Sequence, residues 1–182
     1  MKYRAGAVRL PPFSLAGYTD LTMLAGLILS LLVAQADRLT VLVFTTIDCP
    51  ISNRYAPEIQ RLAAKFGDRA KFVLVYPVPA DSPDLIRTHH KKFGYAIEYV
   101  RDAGQQLVKQ TGVTVTPEVA VMRGTTLLYR GRIDDRYVEL GRERPSPTRR
   151  DLEDALDAIA AGKTIATRET RAVGCILSDL VK

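Results

Sequence analysis

The 182-residue chain carries two cysteines, Cys49 and Cys175. Cys49 lies in the segment Asp48-Cys49-Pro50-Ile51-Ser52, directly after an apolar, β-branched run and directly before a helical pattern. A cysteine at such a junction meets the unpaired N–H groups of a first helical turn and the positive end of the helix dipole. Both favour the thiolate, and settings of this kind lower a cysteine pKa from about 8.5 to roughly 3.5–7.5. The thiolate is the form that attacks disulfides and peroxides. Asp48 works against it by like-charge repulsion. Ser52, three residues on, offers a hydroxyl that cannot attack a disulfide at neutral pH. Cys175, in Val173-Gly174-Cys175-Ile176-Leu177, has two readings that the sequence leaves open. It is either a remote resolving thiol on a folded-back tail, or a small buried residue that tucks the tail down.

Other chemistry-bearing residues read as structural. His89 and His90 stand in a Lys-rich stretch with no third ligand nearby, and read as solvated helix residues. Asp134-Asp135 reads as a turn, and Thr148 as a helix N-cap. No Cys/His spacing fits a zinc site, and two cysteines are too few for a disulfide-stapled scaffold. No metal or cofactor is expected. The net charge of +6 comes from scattered basic residues, apart from Arg142, Arg144, Arg149 and Arg150. With no recognition motif beside it, this cluster reads as a solvated loop, and no nucleic-acid partner is expected.

The elements that must position Cys49 follow from periodicity. Residues 39–45 form a run buried on both faces of a sheet. Ile59, Leu62, Ala63 and Phe66 mark a helix stopped by Gly67. A second buried strand covers 71–78, and Ser82-Pro83 opens a helix running to about Phe93. A short strand near Tyr99-Val100 and a helix over 103–110 follow. Strands 118–122 and 126–131 form a hairpin across Arg123-Gly124-Thr125, and Leu152, Ala155, Leu156 and Ile159 mark a last helix ended by Gly162. The expected fold is α/β, a central mixed β-sheet flanked by helices on both faces.

The N-terminal part has its own pattern. Lys2, Arg4 and Arg9 precede a charge-free run over 21–36 that ends in Ala34-Gln35-Ala36. A basic start, a short apolar stretch and a small-x-small ending match a secretory signal peptide, and sixteen residues fall short of the roughly 20 a membrane span needs. The expected division is a leader or apolar segment over 1–36, one domain over 37–162, and a tail over 163–182 carrying Cys175. The expected location is extracytoplasmic, with no stable membrane insertion of the processed chain, or cytoplasmic if the segment is not a signal.

The ordered set Phe44, Cys49-Pro50, Pro57, Val115-Thr116-Pro117 and Tyr129-Arg130-Gly131 resembles the thioredoxin superfamily, in its redoxin and TlpA-type branch bordering the peroxiredoxins. The resemblance covers residues 39–159. It implies a thioredoxin-like fold, a cis-proline loop in which Thr116 and Pro117 lie beside Cys49, and docking of an extended substrate on Thr116. Ser52 departs from the family pattern by replacing the second cysteine of Cys-x-x-Cys, and Asp48 by replacing a Trp. Thr46 gives the Thr-x-x-Cys part of the peroxiredoxin motif, but Leu42 stands where that motif has Pro. Arg54, Arg130 and Arg132 are its candidate arginines.

Three functions follow as expectations. The first is a thiol-disulfide oxidoreductase using Cys49 as nucleophile, acting on protein thiols or disulfides with an external thiol reductant. The second is a thiol peroxidase with Cys49 peroxidatic and Cys175 resolving, acting on a small peroxide. The third is a non-catalytic thioredoxin-like binding module.

Overall fold

A computed structural model describes residues 39–177. The leader expected over 1–36 and the chain after Leu177 lie outside the described residues. In chain order the elements are β1 (Leu39–Phe44), α1 (Pro50–Arg54), α2 (Ala56–Phe66), β2 (Ala70–Tyr76), α3 (Pro83–Lys92), β3 (Glu98–Arg101) and α4 (Gln106–Thr111). They continue with β4 (Val115–Thr116), β5 (Glu118–Arg123), β6 (Thr126–Gly131), β7 (Tyr137–Glu139), β8 (Arg142–Glu143), α5 (Asp151–Ala160) and β9 (Cys175–Ile176).

The main sheet has the order β3-β2-β1-β5-β6. β1 pairs in parallel with β2, and β2 with β3, whereas β5 runs antiparallel to β1 and to β6. The sheet is therefore mixed, and its central strand β1 is the one that leads into Cys49. Alternating side chains divide the strands between two apolar layers. Val41, Val43, Leu74, Val119 and Val121 join Ile59, Leu62 and Phe66 of α2, Ile86 of α3 and Leu152 and Leu156 of α5. Leu42, Phe44, Val75, Ala120 and Met122 face the other way, against Leu107 and Val108 of α4 and Leu177 of the tail. A strand buried on both faces must be apolar throughout, which is why 39–45 reads as a continuous hydrophobic run.

Local differences from the sequence expectation have physical causes. The helix after Cys49 is broken at Tyr55, two residues before Pro57, because a proline cannot donate back into the preceding turn. α4 begins at Gln106 rather than near 103; the Asp102 carboxylate accepts the N–H groups of Gln106, Leu107 and Val108 and sets the start. Thr148 does not cap α5. Its hydroxyl and N–H bond the buried Asp135, and the α5 N-cap is Arg150, without a side-chain cap bond. The tail after α5 is not loose. Arg168 and Thr170 bond the backbone of Arg130 on the β6 edge, and β9 pairs antiparallel with β4 in the register Val115↔Ile176 and Thr116↔Cys175.

Candidate active site

β1 delivers the chain to one end of the sheet, where Thr45 N–H still bonds the Val75 carbonyl. The backbone then turns, and Cys49 caps α1, with its Sγ accepting the Ser52 N–H at 3.5 Å. Across from it, the Thr116–Pro117 peptide is cis. The Thr116 carbonyl oxygen lies 3.1 Å from Cys49 Sγ and accepts from the thiol. Thr116 and Pro117 are both buried, and Cys49 is 1% exposed. The two segments expected to meet are thus brought together.

Cys175 joins them. Because β9 pairs Cys175 with Thr116, its side chain reaches the thiol, and its Sγ–H donates to Cys49 Sγ at 2.9 Å. Both cysteines are free. The approach of the tail depends on Gly174, where any Cβ would fall 2.0 Å from the Thr116 oxygen. It depends also on Gly131, at φ +144, where a Cβ would meet Thr170. Leu177 anchors the end of the tail in the second apolar layer, and its N–H bonds the Thr114 carbonyl.

The electrostatics separate the two thiols. Burial raises the Cys49 thiol, but hydrogen bonds from Cys175 and Ser52 outweigh it, and the net direction is below the ordinary thiol value. The Ser52 hydroxyl is buried with no well-formed hydrogen bond, so the N–H and the nearness of that hydroxyl are what Ser52 contributes. Cys175 is pushed up to about 12 by burial, by its hydrogen bond to Cys49 and by the charge there. The hydrogen bonds, not Asp48, are the leading influences that oppose burial at Cys49. Asp48 is exposed, and its charge acts on Asp81 and His89.

Thr46 is buried, and its hydroxyl donates to Asp81 Oδ2 at 3.0 Å rather than to the sulfur. The candidate arginines are also engaged elsewhere. Arg54 pairs with Glu143, Arg130 with Glu169 and Arg132 with Asp151.

His89 corrects the expectation of a solvated residue. It is buried, its Nε2 lies 2.7 Å from Asn53 Oδ1, and its Nδ1 lies 2.9 Å from the Tyr76 hydroxyl. Asn53 Nδ2 donates to the Ile47 carbonyl, so its oxygen is the acceptor and His89 Nε2 carries the proton. The neutral ring ties α1 and the Cys49 loop to β2 and α3. Glu118 is a second residue not singled out from the sequence. Buried just after Pro117, its carboxylate accepts the N–H groups of Thr114 and Val115 and shapes the approach to the cis peptide. A charged residue opening an otherwise apolar strand was the available signal.

Solved structures of other proteins share this fold. An uncharacterised conserved protein of Geobacillus kaustophilus superposes with a TM-score of 0.67 at 26% identity, covering 77% of this chain and 76% of its own. A hypothetical protein of Sinorhizobium meliloti gives 0.66 at 24%, covering 79% and 82%. A thioredoxin-like protein solved in its oxidised form gives 0.52 at 18%, covering 70% and 80%. The fold is thioredoxin-like. No family model and no curated protein matches the chain. Among the described residues no group of three or more His, Cys, Asp or Glu is placed to hold a metal. No helix there is long and apolar enough to cross a membrane.

Proposed function

We propose that this thioredoxin-like chain is a thiol-disulfide oxidoreductase that cycles between a Cys49/Cys175 dithiol and a Cys49–Cys175 disulfide. The observation that carries the reading is the 2.9 Å contact between the two sulfurs, made across 126 residues of sequence. The Cys49 thiolate attacks one sulfur of a substrate disulfide, forming a mixed disulfide and expelling the other half as a thiolate. Cys175 then loses its proton and attacks Cys49 Sγ, giving the internal disulfide and releasing the second substrate thiolate. Two substrate sulfurs are reduced, and the two cysteines are oxidised.

The raised pKa of Cys175 gives this order a physical basis. Two of its three causes, the hydrogen bond to Cys49 and the charge there, vanish once Cys49 is capped by substrate. Cys175 therefore becomes a better nucleophile only when there is something to resolve. Export, as expected from 1–36, would place the cycle in an oxidising compartment. The peroxidase alternative draws less support, since the Thr46 hydroxyl and the three candidate arginines all have other partners.

The test is reduction of glutathione disulfide by the fully reduced protein. Wild type should release glutathione and end as the internal disulfide. Cys175→Ser should stop as a stable glutathione adduct on Cys49, and Cys49→Ser should show no comparable reaction. Equal rates in wild type and Cys49→Ser would overturn the reading.

A further inference from the structure

The two sulfurs of the pair are not equally open. Cys49 is 1% exposed and is enclosed by the first turn of α1, the Thr116 carbonyl and the tail itself. Cys175 is half-buried, next to Ile176, which is 49% exposed. While both cysteines are reduced, only noncovalent contacts hold β9 over Thr116, and lifting it bares Cys49 to a substrate. Once the disulfide forms, the same strand is fastened over Cys49, and the docking backbone of Thr116 stays covered.

We infer that the thiol that re-reduces the protein attacks the sulfur of Cys175, not that of Cys49. The inference rests on the disulfide cycle proposed above, and it assigns the two half-reactions to different sulfurs. The incoming thiolate forms a bond to Cys175 Sγ, the Cys49–Cys175 bond breaks, and Cys49 leaves as a thiolate. A second thiolate then attacks the outer sulfur of the adduct, frees Cys175 and carries the pair of electrons away as an external disulfide. The leaving group suits the direction of attack. Cys49 departs beside the Ser52 N–H, which donates to its sulfur and stabilises its anion, and the lower-pKa thiol leaves faster. A reductant that presents a compact thiol, such as a small-molecule thiol, fits this geometry. One that must pair its backbone with Thr116 does not, because β9 holds that edge.

The experiment starts from full-length protein oxidised to the internal disulfide. Glutathione is added first and samples are quenched at intervals into excess iodoacetamide, which captures whichever cysteine has left, and the peptides are mapped by mass spectrometry. The expected product carries glutathione on Cys175 and the acetamide on Cys49. The reverse pattern, glutathione on Cys49 and acetamide on Cys175, would overturn the inference while leaving the disulfide cycle intact. Failure to obtain the internal disulfide at the outset would overturn the cycle, and the inference with it.

Discussion

At Cys49 burial and hydrogen bonding oppose each other, and hydrogen bonding prevails. The rate of Cys49 alkylation should therefore rise with a midpoint below the ordinary thiol value. Cys175→Ala removes one of the stabilising donors and should move that midpoint upward. A midpoint unchanged by the substitution would remove Cys175 from the account of Cys49 reactivity. His89 supplies a separate pH effect. Burial holds its ring neutral, with Lys92 and His90 pushing the same way and Asp48 opposing them. A depressed folded pKa means that the unfolded chain takes up the proton first as pH falls. The stability contributed by neutral His89 is thus present above about 6.5 and is lost as the pH drops below it, which melting temperatures across that range would record. His89→Leu should flatten this slope, at the cost of the bonds to Asn53 and Tyr76.

The tail is the element on which the pairing of the two thiols depends. Gly174→Val puts a side chain into the Thr116 carbonyl. Overpacking of this kind costs about 1–3 kcal/mol, which lowers the docked population roughly five- to 150-fold. Formation of the Cys49–Cys175 bond should slow to match, while circular dichroism stays that of the wild type, since no strand of the main sheet belongs to the tail. Leu177→Ala should act in the same direction by emptying the anchor in the second layer. The tail is also where the sequence was least legible. β9 is two residues long, too short for any periodicity, and its partner β4 is recognised through backbone groups that every residue carries. The path into Cys49 was legible for the opposite reason. Residues 39–44 form an apolar run, Cys49-Pro50 is a junction marked by residue type, and the place of Thr116-Pro117 followed from the resemblance to the thioredoxin superfamily. His89 was not legible, because a histidine followed by His90-Lys91-Lys92 carries no sign that its own face is covered.

For the whole molecule, the internal disulfide would join the first turn after the central strand to the far end of the tail, closing a loop of sequence separation 126. Constraining the unfolded chain in this way is worth about 2–4 kcal/mol. The oxidised protein should therefore unfold at higher denaturant than the reduced one, and the difference should vanish in Cys175→Ser. The core sets the scale for comparison. Phe44 is fully buried in the second layer, and Phe44→Ala should cost about 3–5 kcal/mol in either redox state.

The most direct test of the central claim is a map of the thiols after titration with glutathione disulfide and an acid quench. One linked peptide pair is expected, Cys49 with Cys175, within a single chain and with no free thiol left. Two free thiols, or glutathione held separately and stably on each cysteine, would contradict it.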